Sequence, residues 1–408
     1  MKKLVLMMMA LAMVTLPGAA LATNGMNMIS YGGQEAGMAG ASLAVSDNAM
    51  AMNNNPAGLA QVKGKELIVG LSLLMPKLSH SDSMNGKVDG ETAYFPLPTL
   101  AYAQRLGGSG FVLGLGVFAQ GGMGADFKNL RTAFGTVDET YTNVRYVKLA
   151  PTLAYQVNDQ FSLGLALNLG YADMEMRFFP NTMVAGVFAG MQLGRVYSFG
   201  YGAKLGAMYK PNDMISLGIT YTTKTAMTFE HGNIEFAGMG SFEAKVEGFN
   251  WPSSIGFGVA LRPTSRLLIA FDVTYMQWSK AVDQVVIVTN APAPMNRVVF
   301  DMGWEDQWVF AIGAAYQVTD KLTLRAGYNY GKNPVPAENL SPLFPAIVEH
   351  HITLGLGYQF SPTVKLDVAF EHAFDNSVTY DNPNAPFGPG AQESHSQNTI
   401  HMFLTFSF

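Results

Sequence analysis

The chain has 408 residues, a formal net charge of -5, 49% hydrophobic and 13% charged residues, and no cysteine. Disulfide frameworks, thiolate metal sites and cysteine nucleophiles are therefore excluded, and the dispersed charge offers no basic stripe to nucleic acid. A soluble exported domain usually carries about twice that charge; an apolar chain with no helix-length apolar run past its N-terminus has the composition of a membrane β-barrel.

Residues 1–22 read as a secretory signal peptide, with Lys2 and Lys3 as the basic region, Leu4 to Leu16 as the apolar region and Ala20-Leu21-Ala22 as the cleavage site. The next stretch, residues 23–61, is rich in Gly, Ala, Met and Asn and has neither sustained alternation nor a helical stripe. Such a segment builds no core of its own. Residues 62–408 then supply the alternation of a barrel, as in Leu67, Val69, Leu71 and Leu73, or Leu163, Leu165, Leu167 and Leu169 against Gly164, Ala166, Asn168 and Gly170.

About fourteen strands are expected, near 65–75, 94–105, 110–120, 144–157, 160–174, 195–210, 213–229, 249–262, 265–279, 307–318, 320–331, 348–360, 362–374 and 396–408. Short turns alternate with long loops, which assigns the turns and both termini to the periplasm. Tyr102, Tyr155, Tyr209, Tyr316 and Tyr358 precede short turns, while Tyr171, Tyr221, Tyr275 and Tyr330 mark the opposite strand ends, giving two interfacial girdles. Many inward positions are glycine, among them Gly114, Gly116, Gly164, Gly206, Gly218, Gly258, Gly313, Gly327 and Gly355. A row of missing side chains leaves room for an occupant of the lumen.

Thr23-Asn24-Gly25, Gly37-Met38-Ala39-Gly40-Ala41 and above all Asn55-Pro56-Ala57-Gly58-Leu59 resemble the N-terminal signature of the FadL/TodX family of outer-membrane transporters for long-chain fatty acids and aromatic hydrocarbons. The resemblance implies an all-β transmembrane antiparallel barrel of fourteen strands in the bacterial outer membrane, with residues 23–61 folded inside as a hatch carrying Asn55, Pro56, Ala57 and Gly58. It also implies passive transport of a hydrophobic small molecule and lateral release at an inward kink of the third strand. Gly114, Gly116, Gly121 and Gly122 are the candidates for that kink.

The apolar stretch Arg177 to Gly194, expected as an extracellular loop, offers Phe178, Phe179, Val184, Phe188 and Met191 as a capture groove for apolar molecules. In the lumen, Lys148, Lys204, Lys224 and Arg325 are expected to face inward, where a carboxylate ligand would need such a partner. Structural pairing with Asp272, Asp367, Glu371, Glu35 or Asp47 is the competing expectation. Met26 and Met28 are candidate ligand contacts in the hatch. No catalytic constellation, metal site or cofactor motif is visible, since adjacent His350 and His351 point to opposite faces of a strand. The partners expected are the ligand, outer-membrane lipid and lipopolysaccharide, and the barrel assembly machinery, for a monomeric protein. A general diffusion porin and a lipid-modifying enzyme are the alternatives.

Overall fold

The computed structural model describes residues 24–380, 387 and 390–408; the signal peptide and its cleavage site lie outside the described residues. Fourteen antiparallel strands form one closed sheet. They are β1 (Lys65–Ser81), β2 (Phe95–Arg105), β3 (Phe111–Arg131), β4 (Val137–Gln156), β5 (Phe161–Val184), β6 (Phe188–Tyr209), β7 (Ile215–Thr222 continued by Phe229–Phe236), β8 (Gly240–Glu247 and Ser254–Thr264), β9 (Leu267–Met276 and Gln284–Thr289), β10 (Arg297–Asp301 and Gln307–Gln317), β11 (Leu322–Gly331), β12 (His350–Ser361), β13 (Val364–Thr379) and β14 (Gln392–Ser407). Pairing of β1 with β14, from Glu66↔Ser407 to Ser81↔Gln392, closes the cylinder. Closure leaves neither the first nor the last strand as a free sheet edge.

Alternation decides the two faces. Leu113, Leu115, Leu163, Leu165 and Leu167 point outward and are exposed, whereas Val112, Ala150, Ala154 and Ala166 point inward and are buried. Strand boundaries differ from expectation mainly on the long-loop side. The third strand continues past Gln120 to Arg131, the fourth starts at Val137, and most of Arg177 to Gly194, expected as a loop, forms the top of a β5–β6 hairpin. Strands β7 to β10 are each interrupted before resuming above. In β8 the interruption includes Gly248 at φ +84° and Pro252, a conformation and a residue that a continuous ladder does not hold. The break in β7 also resets the alternation, so Lys224 is exposed and donates to the Lys280 carbonyl rather than facing inward.

Residues 24–61 lie inside the cylinder as a short helix (Gly33–Ala36) and two 3-10 turns (Ala49–Met52 and Pro56–Gln61), and nearly all of them are buried. The inward glycines are where they fit. A methyl group on Gly164 would overlap the Pro56 backbone, on Gly218 the Leu43 backbone, and on Gly313 and Gly327 the Met38 backbone. Near the short-turn end, Arg105 donates to the carbonyls of Ala60 and Val62, and Lys210 donates to Gln61.

Replacing Gly164 by valine is expected to displace the 3-10 turn at Pro56 rather than the barrel, at about 1–3 kcal/mol for overpacking. Limited proteolysis should then cut residues 24–61 faster, while the heat-modifiable mobility of the folded barrel on a denaturing gel stays unchanged.

Candidate functional site: a lumenal cavity beside a gap in the wall

Backbone chemistry positions the gap. In an antiparallel ladder a residue turns its N–H and C=O to the same neighbour. The β1–β2 pairing is intact through Leu73↔Pro96 and Leu71↔Pro98, so both prolines turn their nitrogens toward β3. Proline has no N–H to give. The β2–β3 pairing accordingly runs from Arg105↔Val112 to Thr99↔Phe118 and stops. Further toward the long loops, the Glu91 N–H donates to the Asp126 carbonyl at 2.8 Å, bounding the gap on its other side.

Along the gap β3 leaves the lipid face. Every residue from Gly116 to Ala125 is buried, and the register shifts between Ala119 and Gly121. Gly121 has φ +148°, which glycine adopts without a side-chain clash. The N-terminal segment takes the place of β2 here: Gly122 N–H donates to Met26 C=O at 3.2 Å and Asn27 bridges Gly121. Of the four expected kink glycines, Gly121 and Gly122 are at the bend. Gly114 lies lower, over Met52 and Leu59, and Gly116 lies beneath the Phe118 ring.

Inside this bend is a cavity of about 130 Å³ lined by Met28, Tyr31, Gln120, Lys148, Asn168, Lys204, Trp251 and Asp272 among others. Two expected cations meet there. Lys204 donates to the Asn53 carbonyl at 2.8 Å. Lys148 is 4% exposed, and among the described residues nothing accepts a hydrogen bond from it. Its amine faces the cavity beside Lys204, and burying such a group without a partner is costly. Arg325 behaves differently: it donates to Asp367 at 2.9 Å and belongs to the wall. Asp272 accepts from the Ser42 and Leu43 N–H groups at 2.7 and 2.8 Å, and so holds the N-terminal segment while facing Lys204 across the cavity. Glu35 accepts from Asn48, and burial pushes its carboxyl up to about 7.

One cluster of buried apolar side chains connects the extracellular mouth with this site. It joins Phe179 and Met191 at the top, through Phe249, Trp251, Trp278 and Trp304, to Met26, Met28, Phe95, Leu97 and Met123 at the gap. At the mouth Phe178, Val184 and Phe188 are half-buried, and Phe178 packs 4.7 Å from the Phe179 ring. Phe179 has φ +47°. Asp138 pins the turn beyond it, accepting from Asn181 N–H at 2.9 Å and from Thr182 Oγ1 at 2.7 Å. The loop between β11 and β12 folds down over the lumen with Leu343, Phe344 and Ile347 buried. Alternation in the sequence does not reveal this roof, the tryptophans or the paired prolines. Two prolines spaced by two in a strand pattern were the available signal, because proline in a sheet marks an edge.

Tertiary structure also assembles Ser72 Oγ at 2.8 Å from His401 Nδ1, with His401 Nε2 at 3.2 Å from Glu371. All three are buried, and none of them lines the cavity. Among the described residues no cluster of His, Asp and Glu could hold a metal ion.

The Asn55-Pro56-Ala57-Gly58 motif anchors the segment beneath the cavity. Asn55 Oδ1 accepts from Ala57 N–H, and its Nδ2 donates to Leu43 and Ala207 carbonyls at 2.7 and 3.2 Å. Pro56 starts the turn, and a side chain on Gly58 would collide with the Ser46 carbonyl.

The family model described as "Outer membrane protein transport protein (OMPP1/FadL/TodX)" matches residues 12–405. A long-chain fatty acid transport protein of Escherichia coli O6:H1 is 21% identical over 407 residues, covering 89% of this chain and 88% of that protein. Among solved structures, a Pseudomonas aeruginosa FadL homologue superposes with TM-score 0.77 at 19% identity, over 96% of this chain and 100% of that one. The P. putida toluene transporter TodX gives TM-score 0.77 at 20% identity, over 93% and 99%.

Asn55→Ala removes a cap and two side-chain bonds, about 2–3 kcal/mol of anchoring. Steady conductance in planar bilayers is expected to rise above that of the parent barrel.

Proposed function

Because the chain belongs to the OMPP1/FadL/TodX family of outer membrane transport proteins, we propose that it takes up amphiphiles with a long apolar chain and an anionic head, long-chain fatty acids above all, and releases them sideways at β3. Membership makes this a bacterial outer-membrane β-barrel that transports hydrophobic compounds. The observation that carries the finer reading is Lys148, buried, facing the cavity and lacking an anionic partner. Phe118, its cross-strand neighbour, is the last residue of β3 paired to β2, so a head group on Lys148 sits at the inner lip of the gap.

In this mechanism the ligand meets the phenylalanines of the mouth, follows the apolar cluster inward, and exchanges hydrated surroundings for the lysine and the asparagines of the cavity. The resting cavity is well under the roughly 300 Å³ of an ordinary drug-sized site. Residues 23–61 therefore act as a hatch: withdrawal of Met26 and Asn27 from Gly121 and Gly122 enlarges the cavity and uncovers the β3 edge together. The ligand then passes between Pro98 and Ala119 into the bilayer, down its gradient and without a cofactor. An open porin fits poorly, since the N-terminal segment fills the lumen.

A second reading has its own support. A cavity of about 130 Å³ is close to the roughly 150 Å³ that admits benzene in an apolar interior, and a monoaromatic hydrocarbon would need no lysine. Lys148→Met decides between them. Fatty-acid affinity, measured by calorimetry on the purified barrel, should fall by about 1.5–3 kcal/mol, roughly 10- to 150-fold, for a lost charged hydrogen bond. Unchanged fatty-acid affinity with tight toluene binding would establish the hydrocarbon reading instead.

The Pro96→Val/Pro98→Val double variant restores both N–H donors on the β3 side. Extension of the β2–β3 ladder is expected to slow cellular uptake of labelled oleate while leaving detergent-phase binding intact.

A further inference from the structure

The outward row of β4 reads Leu149, Pro151 and Leu153, and the short proline ring interrupts a wall otherwise tiled with leucine. Pro151 also has no N–H for β5, so the β4–β5 pairing passes from Leu149↔Leu169 to Thr152↔Ala166 with the rungs between them missing. The result is a trough of about 490 Å³ on the lipid face, with Pro151 on its floor and Leu113, Leu115, Leu165 and Leu167 on its sides. We infer that this trough binds the hydrocarbon chain of the molecule released through the gap, as a site on the outside of the barrel distinct from the lumenal cavity. The inference rests on the lateral-release reading.

Position selects the occupant. Tyr102↔Leu115 lies below Thr99↔Phe118 on the same two strands, three rungs toward the periplasm, which is roughly 10 Å at about 3.3 Å per residue. A chain leaving the gap toward the periplasm therefore reaches the trough within a few rungs. Size agrees: the trough falls in the roughly 300–1,000 Å³ range of small-molecule sites, whereas the resting lumenal cavity does not. Its lower end is polar. Tyr102 Oη donates to Gln104 Oε1 at 2.8 Å, which leaves the Gln104 amide N–H groups to donate to a head group at the periplasmic interface. The trough thus suits an amphiphile lying with its chain toward the gap and its head toward the inner leaflet.

The barrel carries its own control. A second depression of about 510 Å³ shares Leu153 and Leu165 with the first and runs on to Leu205, Ile219 and Ile255; it has the same apolar character but lies further round the wall from the β2–β3 gap. Bulk lipid fills both depressions; a delivered chain favours only the first.

A photoreactive benzophenone residue at Leu115 or at Ile219 tests this in intact outer-membrane vesicles fed alkyne-tagged oleate from the extracellular side. Oleate labelling at Leu115 is expected to exceed that at Ile219 severalfold, and to fall to the Ile219 level in the Pro96→Val/Pro98→Val background. Equal labelling at the two sites in the parent barrel overturns the trough as a ligand site, even where the double variant slows uptake and lateral release stands. An excess at Leu115 that survives the double variant while uptake falls shows loading from the bilayer and overturns the delivered chain as occupant. Uptake unaffected by the double variant overturns lateral release and, with it, this inference. Both labelling positions face lipid in the parent, so the comparison between them does not depend on the double variant folding.

Discussion

In a bilayer no water is available to an unpaired backbone N–H or C=O, and each one left open costs several kcal/mol. Everything in this barrel follows from how that requirement is met around the wall and where it is met by something other than a neighbouring strand. Around most of the circumference adjacent strands satisfy one another. At β3 they do not, because Pro96 and Pro98 withhold the donors that β2 would have offered. Met26 and Asn27 complete part of the β3 edge from inside. A segment that satisfies the wall from within couples its own position to the integrity of the wall.

The interior combines two requirements that usually conflict. Buried apolar side chains run in one cluster from Phe179 through the tryptophans to Met26 and Phe95. At its lower end the surroundings become polar, with Lys148, Lys204, Asn168 and Asp272 around one small cavity. Asp272 and Lys204 are occupied in holding the N-terminal segment, through Ser42, Leu43 and Asn53. Lys148 is not. The division separates polar groups that fasten the occupant of the lumen from a lysine that the described residues leave without a hydrogen-bond acceptor.

Glycine and proline have opposite effects on the wall. On the inside, glycines such as Gly164, Gly218 and Gly313 admit another backbone at close range, so the N-terminal segment packs against the sheet itself. On β2 and β4, prolines remove rungs: at Pro96 and Pro98 the loss becomes a gap because β3 bends away, while at Pro151 the strands keep register and only the outer surface is hollowed. The difference lies in Gly121 and Gly122, which permit the bend that a substituted backbone would resist.

The class of the molecule was legible in the chain: alternation of Leu with Gly or Ala separates lipid from lumen by the two-residue period alone, and a Gly- and Asn-rich N-terminal segment without a core of its own requires a container. The motif at Asn55 to Gly58 could be read as well, since a cap, a turn proline and a glycine are local chemistry. Which cations pair with which carboxylates was not legible, because Arg325 meets Asp367, and Lys148 meets no carboxylate among the described residues, only once register has set every strand beside its neighbour. The bend of β3 likewise needed the fold: glycines permit it, but prolines on another strand and a methionine from inside the barrel determine where the ladder ends. Sequence period sets which face a residue occupies; only tertiary register sets what stands opposite it.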